Sequence, residues 1–414
     1  MRKIYFITLL LALASVVNAQ DEKTEKKKEP VVKFSGHIRY EAYFDSYMSV
    51  YSRNGDVYLY PKRVNFVNGE DINKNGQLTM LAAQSRVRAK INGPDVFGAK
   101  ISGLVEVDFL GKMGAPIDFV QTPRIRHMFV KMSWDKLQLI FGQTWHPVFV
   151  TQCFPMVLGM GAALPYNPLN RSPQIKATYK LTDNLQVEGA LLSYLDFRSK
   201  GPVNAQRDAG LPDFHGSFKY LSDNLATGVV GGYKVLKPRL ETDNGNITDK
   251  TIGSFDVAAF AKYKISKLTF KVYGIYGQNL TPYVSIGGYG AAQNPTSVDD
   301  YTYSNIVSMN LWSEIMYKVS GKFCAGLFAG YSDNLGTSEN SYYDLGYTLG
   351  GNIDKTYRIS PRMAFMSGNF MFGLEYMLTS ATYFDLAGNG KYEAANTDGA
   401  VSNNRFYFSA TYKF

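Results

Sequence analysis

The 414-residue chain carries a formal net charge of +9, with 45% hydrophobic, 14% aromatic and only 19% charged residues. That charge content lies below the roughly 25% of ordinary soluble domains, and 30 Tyr with 26 Phe exclude a disordered chain. Two cysteines exclude a disulfide scaffold, and beyond the N-terminus no apolar run approaches the length of a spanning helix.

The first segment has the features of an address. Arg2 and Lys3 precede an apolar stretch from Ile4 to Val17, and Val17-Asn18-Ala19 supplies small cleavage residues. Residues 1–19 are expected to be a secretory signal peptide. Gln20 stands where a lipoprotein would need cysteine. Residues 20–31, with the run DEKTEKKKE, have no apolar periodicity and are expected to be a polar periplasmic tether.

From Lys33 onward the period is 2. Phe34, Gly36, Ile38, Tyr40, Ala42 and Phe44 alternate with Lys33, Ser35, His37, Arg39, Glu41 and Tyr43. One face is apolar and the other charged, the mark of a strand between two solvents. The pattern predicts sixteen strands, near 32–44, 80–92, 97–110, 125–134, 137–144, 174–181, 185–195, 213–221, 225–236, 253–264, 268–280, 309–318, 322–333, 354–366, 370–383 and 404–414. Short polar turns such as Asp135-Lys136 and Ser266-Lys267 alternate with long connections along the whole chain. An even strand number with short turns at one end and long loops at the other predicts an all-β fold. The expected form is a 16-stranded antiparallel transmembrane β-barrel over 32–414, set in the outer membrane of a Gram-negative bacterium. Mid-strand Tyr and Phe should face lipid and those at strand ends should form interfacial girdles. The last strand alternates aromatics up to Phe414, as in strands recognised by barrel-assembly machinery.

The connection from Thr144 to Pro173, the third long loop, is rich in Pro, Met, Phe, Leu and Gly and almost uncharged before Arg171. An apolar loop needs a surface to pack on. The lumen wall is the surface at hand, so the loop is expected to fold inward and narrow the pore. Contact with a neighbouring subunit is the alternative. Trp145, His146, Phe154, Tyr166 and Arg171 are its candidate constriction residues.

The charged faces give the lumen a sign. Arg39, Arg86, Arg88, Lys90 and Lys100 face Glu106 and Asp108, and Arg126, Arg358 and Arg362 add further bases. Arg86, Arg88 and Lys90 are two residues apart and should form a ladder on one wall. Guanidinium suits bidentate capture of carboxylate or phosphate, so these ten residues are the candidate solute-binding set. Glu106, Asp108 and Asp118 are the groups that would neutralise them.

Gln84 to Arg88, then GPDVFGAKISGLVEVDFLG (Gly93 to Gly111), RIRHMFVKM (Arg124 to Met132) and LIFGQTWHPV (Leu139 to Val148) resemble the DcaP-like porins. The resemblance covers roughly residues 80–150. It implies a homotrimeric 16-stranded porin with a basic constriction for carboxylate-bearing solutes. The Arg ladder, Arg126 and the GQTW segment match by position. Some members carry a long periplasmic helix, for which residues 21–31 are too short. The phosphate-selective porins, also 16-stranded, are the neighbouring family.

Other motifs carry less. Asp71 to Gly76 matches the first half of a calcium loop, but Ala82 stands where the closing Glu belongs. The four histidines lack paired spacing, so no metal site and no cofactor are expected. His215 and Ser217 share a face but show no orienting partner in the sequence, so no enzyme is expected. The even spread of basic residues in an exported chain argues against nucleic acid. The chain is thus expected to be a porin for passive diffusion of small, preferentially anionic solutes, carboxylates or phosphate-like. Its other expected partners are outer-membrane lipid and two further copies of itself. A barrel serving as surface scaffold or adhesin through its long loops is the alternative.

Overall fold

The computed structural model describes residues 29–52, 57–111, 122–293, 301–337, 345–386 and 394–414. The expected signal peptide, most of the tether and Asp118 lie outside them.

Sixteen antiparallel strands close into one barrel. In chain order they are β1 (Val31–Asp45), β2 (Gln77–Leu81 and Arg86–Asn92), β3 (Lys100–Gly111), β4 (Thr122–Ser133), β5 (Leu137–Trp145) and β6 (Arg171–Lys180). Then come β7 (Leu185–Leu192), β8 (Asp213–Leu221), β9 (Leu225–Leu236), β10 (Ile252–Ile265) and β11 (Leu268–Gln278). The last are β12 (Tyr301–Lys318), β13 (Phe323–Thr337), β14 (Ile353–Ser367), β15 (Phe370–Leu386) and β16 (Val401–Lys413). Each pairs with its sequence neighbours. The seam is closed by β1 on β16, in register from His37↔Lys413 to Asp45↔Arg405. Closure pairs both sides of the barrel strands with one another, which removes the barrel's own edges.

The alternation read from the sequence sorts the faces. On β1, Phe34, Ile38, Tyr40 and Phe44 point outward, while Glu41, Tyr43 and Asp45 are buried inside. On β14, Tyr357, Ile359, Met363 and Phe365 face out and Arg358, Ser360 and Arg362 face in.

Three departures matter for the interior. β2 is interrupted at 82–85, where Ala83 and Gln84 are buried and the Gln84 carbonyl lies 3.0 Å from His37 Nε2. β12 starts at Tyr301, eight residues before the predicted 309, because its outer half pairs with Gly287–Gln293 rather than ending at the lipid boundary. Finally, the aromatic residues form two populations. Mid-strand Phe260, Tyr273 and Phe328 are buried inside the barrel, although lipid was the expected place for them, and Tyr58, Tyr60, Tyr166 and Tyr283 join them from the loops.

They are buried because loops fill much of the lumen. The third long loop folds inward, as its apolar composition requires. Its Val148, Val150, Cys153, Ala163 and Tyr166 pack on wall residues Phe260, Tyr273, Ile275, Trp312 and Phe328. Two further segments join it. Leu280 and Tyr283, from the connection after β11, enter the same core. Val57, Leu59 and Tyr60, from the first loop, pack against Leu164, Ile286, Ile353 and Tyr383. Two wall glycines make room for the third loop. A Cβ at Gly330 would stand 2.6 Å from the Tyr166 ring, and one at Gly373 would stand 2.5 Å from Leu158. Both cysteines are free thiols.

Candidate functional site

The loop is held by buried wall carboxylates as well as by packing. Glu314 on β12 accepts hydrogen bonds from the Met156 amide at 2.7 Å, from Lys271 Nζ at 2.7 Å and from Arg362 at 2.5 Å. Glu375 on β15 accepts from the Leu158 amide at 2.6 Å and the Gly159 amide at 3.1 Å. Tyr273 donates to the Val148 carbonyl at 2.9 Å, and Trp312 Nε1 donates to Asn167 at 3.0 Å. Neither carboxylate stands out in the sequence, since an isolated Glu on an inward strand face carries no motif.

Opposite lies the basic wall of β2, β3 and β4. Arg124 grips Asp108 with two parallel bonds, Nε to Oδ1 at 2.9 Å and Nη2 to Oδ2 at 2.6 Å. Arg126 bridges Glu106 at 2.7 Å and Asp108 at 3.0 Å. Arg88 also donates to Glu106, at 2.8 Å through Nε. Three guanidiniums therefore share two carboxylates. The register explains how β4 brings so many groups inward. Glu106 faces His127 while Val107 faces Ile125, so Arg126 is an extra residue on β4. This β-bulge turns Arg126 and His127 both to the interior.

Two other bases near this wall lack a carboxylate at ion-pair distance among the described residues. Arg86 and Arg171 make no ion pair among the described residues, and the Nε of each is buried without a hydrogen-bond partner. Arg171 instead lies 5.0 Å from the Trp145 ring centre and 5.1 Å from that of Phe197. Arg126 also approaches the Trp145 ring, at 5.7 Å. Trp145 stacks on Phe149 at 3.9 Å, and Phe149 stacks on Phe154 at 5.6 Å.

Between wall and loop lies a cavity of about 700 Å³. Arg39, Arg86, Arg124, Arg126, Arg171 and Arg362 all border it, with Trp145 and Phe154. No carboxylate side chain among the described residues borders it. Glu41, Glu106 and Asp108 are buried behind the arginines they pair with. The Trp145–Phe149 pair also borders a second cavity of about 430 Å³, where Lys176, Lys219 and Glu188 meet.

The remaining candidates lie elsewhere. Arg88 is half exposed, its side chain 49% accessible. Lys90 and Lys100 are exposed near the short turn that joins β2 to β3, away from the larger cavity. Arg358 sits behind the loops, donating to Thr379 at 2.9 Å and to the Leu59 carbonyl at 2.8 Å, between the Tyr58 and Tyr166 rings. Tyr166 meets the Thr356 hydroxyl at 3.0 Å, and His146 is buried against His215 at 4.3 Å between ring centres. These two anchor the loop and do not border the larger cavity, while His146 borders the smaller one. His215 does have an orienting partner, contrary to the sequence reading: Asp256 at 3.2 Å, with Tyr283 at 3.1 Å. His215, Asp256 and Tyr283 are all buried. Asp71 closes a turn, accepting from the amides of Asn65 and Asn73 and from the Tyr47 hydroxyl.

No protein-family model matches the chain, and no curated protein does. Solved structures match along most of it. The outer membrane channel DcaP of Acinetobacter baumannii aligns with a TM-score of 0.67 at 17% identity, covering 93% of this chain and 98% of that one. The anion-selective porin from Comamonas acidovorans aligns at 0.56 with 11% identity, covering 93% and 100%. OmpF of Salmonella typhi aligns at 0.54 with 11% identity, covering 92% and 97%. The resemblance to the DcaP-like porins thus holds at the level of fold: this chain is folded as a 16-stranded porin barrel.

Proposed function

We propose that the chain is an outer-membrane porin through which small hydrophilic solutes diffuse passively, anions in preference to cations. The observation that carries this reading is the sign of the cavity surface. Arg39, Arg86, Arg124, Arg126, Arg171 and Arg362 border it without a carboxylate among the described residues. Guanidiniums in a partly desolvated passage raise the local concentration of carboxylate- or phosphate-bearing solutes and repel cations. Arg86 and Arg171 are the leading contacts, because each is free of a carboxylate partner among the described residues. Arg124 and Arg126 reach the same cavity but are partly neutralised by Asp108 and Glu106. Glu106 and Asp108 position these arginines, and Trp145, Phe154 and the loop narrow the passage. The half-exposed Arg88 and the exposed Lys90 and Lys100 act as an outer basic rim.

The same reading includes export by residues 1–19, assembly through the strand ending at Phe414, residence in the outer membrane and association of three copies. The trimeric form of OmpT from Vibrio cholerae, aligned at a TM-score of 0.54, is consistent with that assembly. The test is the reversal potential of single channels in a KCl gradient. It should show anion preference that falls or inverts in Arg86→Glu and Arg126→Glu. Cation preference in the unaltered protein overturns the selectivity, and absence of any conductance returns the barrel to a surface scaffold.

A further inference from the structure

The cavity is bordered by two kinds of surface, and the basic one explains only half of it. Barrel lumens that carry small hydrophilic solutes are polar. Here the third loop presents an apolar surface to the same space. Met156 is 45% exposed although it lies inside the barrel. Beside it, Phe154, Phe149 and Trp145 form one continuous aromatic stack, with ring centres 5.6 and 3.9 Å apart. The guanidiniums of Arg126 and Arg171 stand at the Trp145 end of that stack. All six side chains border the one cavity. Arg171 is buried to 3% exposure, its Nε is unpartnered, and no carboxylate among the described residues pairs with it. A buried guanidinium without an anion is costly to keep, so this one is poised for an acidic group from outside the chain.

We infer that the cavity is a binding site for amphipathic anions: molecules with one acidic group on a flat apolar body. The acidic group sits between Arg126 and Arg171, and the body lies along Trp145, Phe149, Phe154 and Met156. This rests on the anion-channel reading and adds a demand for the apolar body. An inorganic anion or a fully hydrophilic carboxylate satisfies the arginines but leaves Met156 and the exposed parts of Trp145 and Phe154 in water. Removing the apolar face of a phenyl group from water strengthens binding by about tenfold or more.

Sulfonates test this, because they stay ionised and do not cross lipid as neutral acids. In single-channel recordings, benzenesulfonate should interrupt chloride current at about tenfold lower concentration than methanesulfonate. Phenyltrimethylammonium, with the same ring and the opposite charge, should not. Met156→Ser should narrow the gap between the two sulfonates, and Arg171→Gln should weaken both. Equal interruption by the two sulfonates in a channel that prefers anions overturns this inference and leaves the porin reading intact. Interruption by phenyltrimethylammonium as strong as by benzenesulfonate overturns it too, since the apolar surface would then act without the arginines. A channel without anion preference overturns both.

Discussion

Arg124 and Arg171 border one cavity and differ in what their loss leaves behind. Arg124 is locked to Asp108 by two hydrogen bonds, and the Asp108 side chain is fully buried. Replacing Arg124 by Gln removes both bonds and leaves that carboxylate to Arg126 alone. The expected cost is about 2–3 kcal/mol of stability, read as a lower denaturant midpoint in detergent. Among the described residues the Arg171 guanidinium has ring contacts, with Trp145 and Phe197, and no ion pair. Arg171→Gln should cost at most about 2 kcal/mol, yet should shift the reversal potential towards cations as much as Arg124→Gln or more. An Arg171 variant that unfolds while keeping full anion preference would reverse these roles. The bulge on β4 shows how local such distinctions are. One extra residue brings Arg126 and His127 to the same side, which strict alternation forbids.

The third loop is an element held at many points, and its contacts fall on residues that a strand pattern treats as ordinary. Gly330 and Gly373 leave space for Tyr166 and Leu158, and Glu314 and Glu375 take loop amides that would otherwise be buried without partners. Gly330→Leu should therefore displace the Tyr166 side of the loop while the barrel persists. The expected outcome is a higher and noisier unit conductance with weaker anion preference, and unchanged β content by circular dichroism. Unaltered conductance would show that the loop does not narrow the passage at that point.

The whole molecule divides its charge by compartment. Net charge alone says little, because Arg63, paired with Asp385 and Asp398 in the loops, counts the same as Arg86 in the lumen. The two cysteines report on this division. Cys153 belongs to the third loop and is buried between it and the wall, and burial pushes its thiol up to about 11. Cys324 faces the larger cavity with the basic groups of Lys318 and Arg362 nearby in its lining. Thiosulfonate reagents should modify Cys324 alone in the folded protein. An anionic reagent should react about tenfold faster than its cationic counterpart at low salt. At 1 M salt the difference should shrink, since the screening length falls to about 3 Å. A faster cationic reagent would contradict a basic lumen.

Period 2 along the chain, with short and long connections alternating, already contains the barrel, its strand number and which side of each strand meets lipid. These follow from solvent on each face, which acts residue by residue. The inward third loop was legible for the same reason, since an apolar loop has to be covered. The partnering of charges was not. Arg86, Arg88 and Lys90 look equivalent in sequence, yet one borders the cavity, one pairs with Glu106 and one stands exposed. Depth along the barrel and the reach of carboxylates from neighbouring strands separate them, and register with a bulge sets both. The filling of the lumen by the first loop and by the connection after β11 was hidden likewise, because those apolar residues find their partners only across the closed barrel.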